Sequence, residues 1–286
     1  MPQNIFGTDG VRGVANADLS CDLAFRLGRA ATKFLGPDIC IGRDTRLSGT
    51  MLESALTAGI MAEGGRPHCC GVIPTPAVAL LTVQNELDGG IVISASHNPP
   101  EFNGIKFFSR KGMKLPDAVE EEISAWVMSE EAMAADTLPT GAGVGHIIKM
   151  KDARKAYVDH AISTLDGLKL DGLVVAVDCG HGASCQTTPA ALQRLGATSM
   201  PSTPITAAPT LTSSAAPLIL SPCVSSCCAP TPTSVWLTMA TPIACCSWTA
   251  RATKSMATTS WPSAAPTWPL AASSPTPRSS RPLCAT

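Results

Sequence analysis

A serine, a histidine and a lysine follow one another closely in the stretch VISASHNPPEFNGIKFF, residues 92–108. The apolar residues before Ser96 predict a buried strand, and the Asn-Pro-Pro after His97 predicts a turn. Both side chains are therefore expected at the carboxyl end of a strand, where open α/β sheets place their sites. Lys106 follows after an Asn-Gly pair. The same residues also fit an ordinary loop. A serine hydrolase is disfavoured, because the chain has no G-x-S-x-G turn here and adjacent residues rarely form a nucleophile–base pair.

Arginines stand in two further polar stretches. FGTDGVRG places Arg12 in a Gly-rich turn, as a phosphate contact would require. GRDTRLSG places Arg43 and Arg46 in a loop between a strand and a helix, beside a helix N-terminus that also favours anions. Each arginine alone is equally typical of a solvated loop. Together with the Ser-His pair and the lysine, they indicate phosphate chemistry.

Strands and helices alternate around these loops. Residues 20–35 have the apolar spacing of an amphipathic helix that ends at Gly-Pro. Ser48 is expected to cap a second helix, and a third helix is expected to begin near Pro76. Strands are expected in DICIGRDTR, PHCCGVI and GGIVISAS. This alternation predicts an α/β fold with a mixed or parallel sheet.

A second, incomplete α/β unit is expected after an acidic helix in DAVEEEISAWVMSEE and a linker in LPTGAGVG. It contains a strand that runs into a Gly-rich turn, GLVVAVDCGHGA, and a helix in TTPAALQRLG. The predicted organisation is a first domain over residues 1–140, the start of a second domain over residues 150–198, and an irregular, disordered tail over residues 199–286.

Composition excludes some classes of protein. The 286-residue chain has a net charge of −1, so no basic excess points to nucleic acid. The N-terminus MPQNIFGTDGVRG lacks the basic and apolar regions of a signal peptide, and no apolar run is long enough to span a membrane. A cytoplasmic protein without a membrane partner is therefore expected. Its cysteines up to residue 196 form no CxxC pair and are expected to be reduced thiols.

The chain changes character near Ala197. All 22 Asp and Glu residues lie in residues 1–196, whereas residues 197–286 contain four basic residues and no acid. Fourteen prolines follow from Pro201 onward, and no helical or alternating pattern survives among them. This is a shift in the kind of sequence rather than a fluctuation.

FGTDGVRG, GRDTRLSG and ISASHNPPEFNGIKFF together resemble the phosphohexomutase superfamily, and SASHNP with NGIKFF is most similar to its phosphoglucosamine mutase branch. The resemblance covers residues 1–196 almost continuously. It implies a four-domain fold in which three related α/β units surround one cleft. It also implies conversion of glucosamine 6-phosphate to glucosamine 1-phosphate through a 1,6-bisphosphate. A phosphomannomutase, a phosphoglucomutase, or a sugar-phosphate-binding module without catalysis are the alternatives.

The resemblance implies roles for individual residues. Ser96 would carry a phosphoryl group and exchange it with a hexosamine phosphate and its 1,6-bisphosphate. Mg²⁺ would bind the phosphate on Ser96 and three aspartates of a D-x-D-x-D loop. His97 and Lys106 would lie beside Ser96 as proton-transfer or charge-stabilising groups. Arg12 would contact the transferred phosphate, and Arg43 and Lys106 are further candidates for phosphate binding.

The metal loop of the superfamily, DGDADR, has no counterpart in the tail as written. The segment SVWLTMATPIACCSWT, residues 234–249, allows one in another reading frame. In that frame each new codon consists of the third base of one residue's codon and the first two bases of the next residue's codon. The codons of Met239 and Ala240 must then encode Gly, and those of Trp248 and Thr249 must encode Asp. Other third bases can be chosen to give GVAHDGDADR. The interpretation is a one-nucleotide frame slip near residues 197–199, and a genuine Pro/Ser/Thr-rich tail is the alternative.

Overall fold

The computed structural model describes residues 5–201, 234–239 and 246–249. A first sheet has the strand order β1-β5-β4-β2-β3-β6. Its strands are β1 (Val11–Val14), β2 (Asp38–Arg43), β3 (Arg66–Val72), β4 (Gly89–Ile93), β5 (Phe102–Ser109) and β6 (Ile148–Lys149). Strand β2 is parallel to β3 and β4, whereas β5 is antiparallel to both of its neighbours. The predicted α/β class with a mixed sheet is confirmed.

Helices cover both faces of this sheet. They are α1 (Cys21–Leu35), α2 (Leu47–Ala62), α3 (Thr75–Gln84), α4 (Asp117–Val127), α5 (Glu130–Ala134) and α6 (Ala153–Ser163). Ile39 and Ile41 of β2 are buried in one apolar core with α1, α2 and α4, while Cys40 between them is buried in a second core with α3 and α6. This alternation follows from the two-residue period of a strand. The first sheet is therefore the middle layer of three.

Three local expectations differ from the structure. Arg12 lies in strand β1, and only residues 7–10 before it form the turn. Helix α2 has no side-chain cap, because Ser48 lies inside the helix and its Oγ accepts a hydrogen bond from Asn103 Nδ2 at 2.9 Å. The acidic segment forms two helices, α4 and α5, instead of one. In the first two cases a partner that is distant in sequence, strand β5 or Asn103, overrides the local pattern.

The predicted linker and the helix after it belong to the packing of the first sheet. Gly145 donates its N–H to the Met61 carbonyl at 2.9 Å, and a Cβ at Gly145 would lie 1.8 Å from the Gly65 oxygen. Strand β6 pairs with β3, and Ala153 of α6 is buried in the second core. The predicted start of the second domain at residue 150 therefore lies in a segment that packs against the first.

A second sheet has the order β10-β9-β7-β8. Its elements are β7 (Val174–Asp178), helix α7 (Thr188–Arg194), β8 (Thr198–Pro201), β9 (Ser234–Met239) and β10 (Cys246–Thr249). Strand β7 is parallel to β8 and β9, and β10 is antiparallel to β9. The sequence did not predict β9 or β10, and the rest of the predicted irregular tail lies outside the described residues. Within the ranges described, no helix is long and apolar enough to cross a membrane.

Candidate active site

Ser96 lies in the turn that follows β4, at the carboxyl edge of the first sheet. It is 7% exposed, and its φ of +58° places it in the left-handed region. That region is uncommon for a residue with a Cβ and costs on the order of 1 kcal/mol or more. The Ser96 N–H is held by the Ser94 Oγ at 3.1 Å. A serine kept in this conformation by its surroundings is typical of a functional turn.

His97 is exposed beside it, and its Nδ1 lies 3.1 Å from the Ser96 Oγ. One of the two atoms donates the hydrogen bond, depending on the tautomer of the ring. The imidazole can therefore take a proton from the Ser96 hydroxyl or return one to it. The structure brings together the pair that the sequence singled out, and the roles of both residues stay predictions.

Arg12 and Lys106 lie on the same face of adjacent strands. Arg12 of β1 is opposite Gly104 of β5, and Lys106 is two residues further along β5. Asp9 faces both cations, at 3.4 Å from Arg12 Nη1 and 3.9 Å from Lys106 Nζ. The Gly104 carbonyl accepts a hydrogen bond from the Ser94 N–H at 2.8 Å, which ties this part of β5 to the Ser96 turn. The predicted Ser96, Arg12 and Lys106 thus share one edge of the sheet.

Two features show that these cations could hold an anion. The Asp9 carboxylate beside them is 54% exposed, so it is a weakly held counter-ion that a phosphate could replace. The Arg12 Nε is buried, and it has no hydrogen-bond partner in the part of the chain that the structure describes. An unpartnered buried donor is costly, and a phosphate oxygen would satisfy it.

Arg43 and Arg46 make contacts within the protein instead. Arg43 Nε donates to Glu53 Oε2 at 2.7 Å, and its Nη1 donates to the Asp44 carbonyl at 3.2 Å. The side chain of Arg46 is 1% exposed and points into the Ser96 turn. Arg46 is therefore inaccessible to a phosphate in solution. Arg43 stays a predicted phosphate contact, and it would have to leave Glu53 to make one.

Sequence reasoning missed Asp44 and Ser94. Asp44 follows β2 directly and is buried, and its Oδ2 accepts a hydrogen bond from Ser94 Oγ at 2.6 Å. Burial raises the pKa of the Asp44 carboxyl, while hydrogen bonds from Ser94 and Arg46 oppose that rise. A signal was present, because an acid between two arginines directly after an apolar strand must find partners if it is buried.

The described residues do not provide the predicted Mg²⁺ site. Among them there is no group of three or more His, Cys, Asp or Glu side chains that could hold a metal ion. A phosphate on Ser96 would supply oxygen ligands, but Mg²⁺ takes carboxylates in addition, and Asp44 is already engaged by Ser94 and Arg46.

A hydrogen bond joins the second sheet to the same loop. Thr45, between Asp44 and Arg46, donates its Oγ1 hydrogen to the His181 carbonyl at 2.6 Å. His181 lies in the Gly-rich turn after β7 and has a φ of +54°. The carboxyl end of β7 is therefore in contact with the loop that supports Ser96.

Comparison with known proteins shows what most of the first sheet and its helices resemble. Residues 3–134 match the family described as phosphoglucomutase/phosphomannomutase, alpha/beta/alpha domain I. Residues 3–134, just under half of the chain, are therefore similar to domain I of the phosphoglucomutase/phosphomannomutase family. This confirms the resemblance to phosphohexomutases.

Curated relatives extend the similarity beyond domain I. The phosphoglucosamine mutase of Moorella thermoacetica is 52% identical over 200 residues, which cover 68% of this chain and 44% of that protein. The phosphoglucosamine mutase of Pelotomaculum thermopropionicum is 52% identical over 202 residues, which cover 69% of this chain and 45% of that protein. The chain thus matches less than half the length of these relatives.

Solved structures agree with the phosphoglucomutase/phosphomannomutase fold. A family member from Burkholderia thailandensis is 26% identical with a TM-score of 0.58, over 69% of this chain and 43% of that one. A protein from Thermus thermophilus, described as a phosphomannomutase, is 23% identical with a TM-score of 0.65, over 83% of this chain and 55% of that one. At 23% identity, the similarity to the Thermus thermophilus protein shows a shared fold and nothing about function.

Proposed function

We propose that the chain is the phosphoserine-bearing part of a phosphoglucosamine mutase. This enzyme would convert glucosamine 6-phosphate to glucosamine 1-phosphate through glucosamine 1,6-bisphosphate. The observation that carries the proposal is the buried, left-handed Ser96, whose Oγ is 3.1 Å from His97 Nδ1 at an edge shared with Arg12 and Lys106. The choice of sugar is supported by curated relatives about half identical in sequence that are named phosphoglucosamine mutase.

In the proposed first half-reaction, the bond between Ser96 Oγ and phosphorus breaks. The C1 hydroxyl of glucosamine 6-phosphate forms a bond to the same phosphorus and releases its proton to water, while Oγ takes a proton from His97. Arg12 and Lys106 offset the charge on the phosphoryl oxygens. In the second half-reaction the bond between the C6 oxygen and phosphorus breaks, Ser96 Oγ forms a bond to that phosphorus, and His97 accepts the Oγ proton. The C6 oxygen takes a proton from water, which leaves glucosamine 1-phosphate.

Phosphoryl labelling of Ser96 tests this assignment. The chain is incubated with ³²P-labelled glucosamine 1,6-bisphosphate, and the labelled peptide is identified by mass spectrometry. We expect label on Ser96 in the unmodified chain and none in Ser96→Ala. Ser54→Ala, which changes an exposed serine of α2, is the matched control and should label normally. Absence of label in the unmodified chain would contradict the proposal, and binding without labelling would favour a sugar-phosphate-binding module.

The alternative sugars are tested with the same assay. Glucose and mannose 1,6-bisphosphates replace the glucosamine compound at equal concentration. Faster labelling from either would favour a phosphoglucomutase or phosphomannomutase, as the description of the Thermus thermophilus structure suggests for that protein.

We also propose that the reading frame slips near residues 197–199. All 22 acids precede this point, and the curated relatives match about two thirds of the chain, its N-terminal part. In the shifted frame, the first aspartate of DGDADR falls where Thr238 meets Met239, at the carboxyl end of β9. That is where a parallel strand places site residues. The nucleotide sequence of the gene decides the matter, because codons that cannot yield the acidic motif in another frame would refute the slip.

The slip has a consequence for activity. Without the three aspartates of that motif and the domains after it, the chain as written should show no useful mutase turnover, since each lost interaction costs roughly 10³-fold. The frame-restored protein should be active with Mg²⁺. A coupled assay for glucosamine 1-phosphate compares the two, and equal rates would contradict the reasoning. We place the enzyme in the cytoplasm, with hexosamine phosphates as its partners. The domain limits at residues 1–140 and 150–198 stay a proposal, in which helix α6 of the second unit packs against the first sheet.

A further inference from the structure

The guanidinium of Arg46 is fully enclosed by the chain that surrounds Ser96. An arginine side chain has five N–H donors, and all five of those of Arg46 are used. Its Nε donates to Asp44 Oδ2 at 3.1 Å. The remaining four donate to main-chain carbonyls: Nη1 to Pro99 at 2.6 Å and Phe102 at 2.9 Å, and Nη2 to Ser96 at 3.1 Å and Asn98 at 2.7 Å. One planar group thus connects four carbonyls of a single seven-residue turn.

Asp44 connects the same arginine to the N–H of Ser96 through Ser94. Its Oδ1 accepts the Arg46 N–H at 3.0 Å, and its Oδ2 accepts the Ser94 hydroxyl at 2.6 Å. The same Ser94 Oγ accepts the Ser96 N–H at 3.1 Å. Both main-chain polar groups of Ser96 therefore connect to the Asp44–Arg46 pair, the carbonyl directly and the N–H through Ser94.

This arrangement explains how a serine is kept at positive φ. A buried ion pair is a poor source of stability, because removing both charges from water costs about as much as their attraction returns. Here the pair is made from a loop after β2, and its partners lie in the turn after β4, so it fixes one loop against the other. An ion pair in such a position acts on geometry more than on stability.

We propose that Arg46, with Asp44, is a positioning residue that holds Ser96 in the conformation from which its Oγ exchanges a phosphoryl group. Arg46 does not touch the phosphate. The proposal rests on the function proposed for Ser96. It differs from the role that the sequence GRDTRLSG suggested for Arg46, which was contact with an anion.

Arg46→Lys in the full chain is the first test. A lysine keeps a positive charge for Asp44, but its ammonium has three donors at one point and cannot reach four separate carbonyls. We expect amide hydrogen exchange in residues 95–102 to become at least about tenfold faster, while exchange in residues 24–31 of α1 stays unchanged. Labelling of Ser96 by glucosamine 1,6-bisphosphate should slow by at least about tenfold.

Arg29→Lys is the matched control. Arg29 is also buried, and it pairs with Glu63 at 2.8 Å and Asp136 at 3.3 Å, away from the turn. It should lower the midpoint of urea unfolding without changing exchange in residues 95–102 or the rate of labelling. If it changes both as Arg46→Lys does, general destabilisation is the cause and the proposal fails.

A second variant decides the case if Arg46→Lys does not fold. Ser94→Ala keeps the Asp44–Arg46 pair and removes only the link to the Ser96 N–H. It should accelerate exchange of the Ser96 amide and slow labelling. Unchanged exchange and labelling in a folded Arg46→Lys or Ser94→Ala protein would overturn the proposal. If the unmodified chain takes no label, the function proposed for Ser96 fails, while the exchange result still decides whether Arg46 orders the turn.

Discussion

Gly104→Ala should disturb the site without introducing any charge or polar group. Gly104 lies in β5 opposite Arg12, and its carbonyl accepts a hydrogen bond from the Ser94 N–H, two residues before Ser96. A Cβ at this position would lie 2.8 Å from the Ser94 carbonyl oxygen and 2.9 Å from the Arg12 Cγ. Both distances are below van der Waals contact, so one added methyl group must displace either the backbone that leads to Ser96 or the arginine beside it.

The size of the effect follows from which neighbour can move. The Ser94 oxygen belongs to backbone whose N–H is bonded to Gly104 itself at 2.8 Å, so the strands cannot separate without losing that bond. Overpacking of this kind costs about 1–3 kcal/mol of the free energy of unfolding. A displacement of about 1 Å at Arg12 would in addition slow phosphoryl transfer by up to about 10²-fold.

Urea unfolding followed by circular dichroism measures the first effect, and the rate of Ser96 labelling measures the second. Gly49→Ala is the matched control, because Gly49 lies in helix α2 and its added Cβ would meet Arg43 Cδ at an ordinary 3.4 Å. That control should be neutral or stabilising by up to about 1 kcal/mol. If Gly104→Ala has the unfolding midpoint and labelling rate of the unmodified chain, there is room for a methyl group between Gly104, Ser94 and Arg12, and the reasoning is refuted.

Three further outcomes are expected. Hydrogen bonds from Arg66, and also from His68, lower the pKa of Asp38 to about 2. The stability that these bonds add is therefore present above about pH 4 and is lost as the pH falls through 2. In urea unfolding, Asp38→Asn should cost about 1 kcal/mol at pH 7, after allowance for solvent screening, and almost nothing near pH 2. Burial raises the pKa of the Cys69 thiol to about 11, so iodoacetamide at pH 8 should alkylate the exposed Cys21 at least about 100-fold faster, as peptide mapping can show. Thr45→Val removes a bond to the turn after β7, and hydrogen exchange in residues 174–186 should increase while that in residues 24–31 does not.

The sequence predicts the elements whose patterns are local. Helix α1 begins and ends within about one residue of its expected limits, because Ser20 caps it and Gly36 follows it. Strands β2, β3 and β4 were expected because each is a short apolar run between polar loops. Strand β1 was not expected: it has four residues, and its partner β5 lies about ninety residues further along the chain. Pairing over such a distance leaves no trace in a local pattern.

The candidate site divides in the same way. Ser96, His97 and Lys106 were predicted from residue types that could do chemistry in one continuous stretch. Asp44 and Ser94 were not, because their importance comes from burial and from each other, and neither is visible in the order of residues. The prediction that Arg46 contacts an anion failed for the same reason. An arginine in a solvated loop and an arginine buried under a turn can have the same neighbours in sequence.

The hydrogen bonds around Ser96 lie in a part of the chain that allows formation of the Ser96 turn to be tested separately from catalytic turnover. In the part of the chain that the structure describes, the hydrogen bonds that hold Ser96 in place join residues between Asp44 and Gly104, and the buried residues of the two cores around the first sheet lie between Phe6 and Ala153. The change of composition near Ala197 lies outside both. A formed Ser96 turn therefore does not depend on the reading frame of the tail, whereas turnover does. The chain as written should accept a phosphoryl group on Ser96 only slowly, because that step also lacks the three aspartates, and it should show no useful turnover.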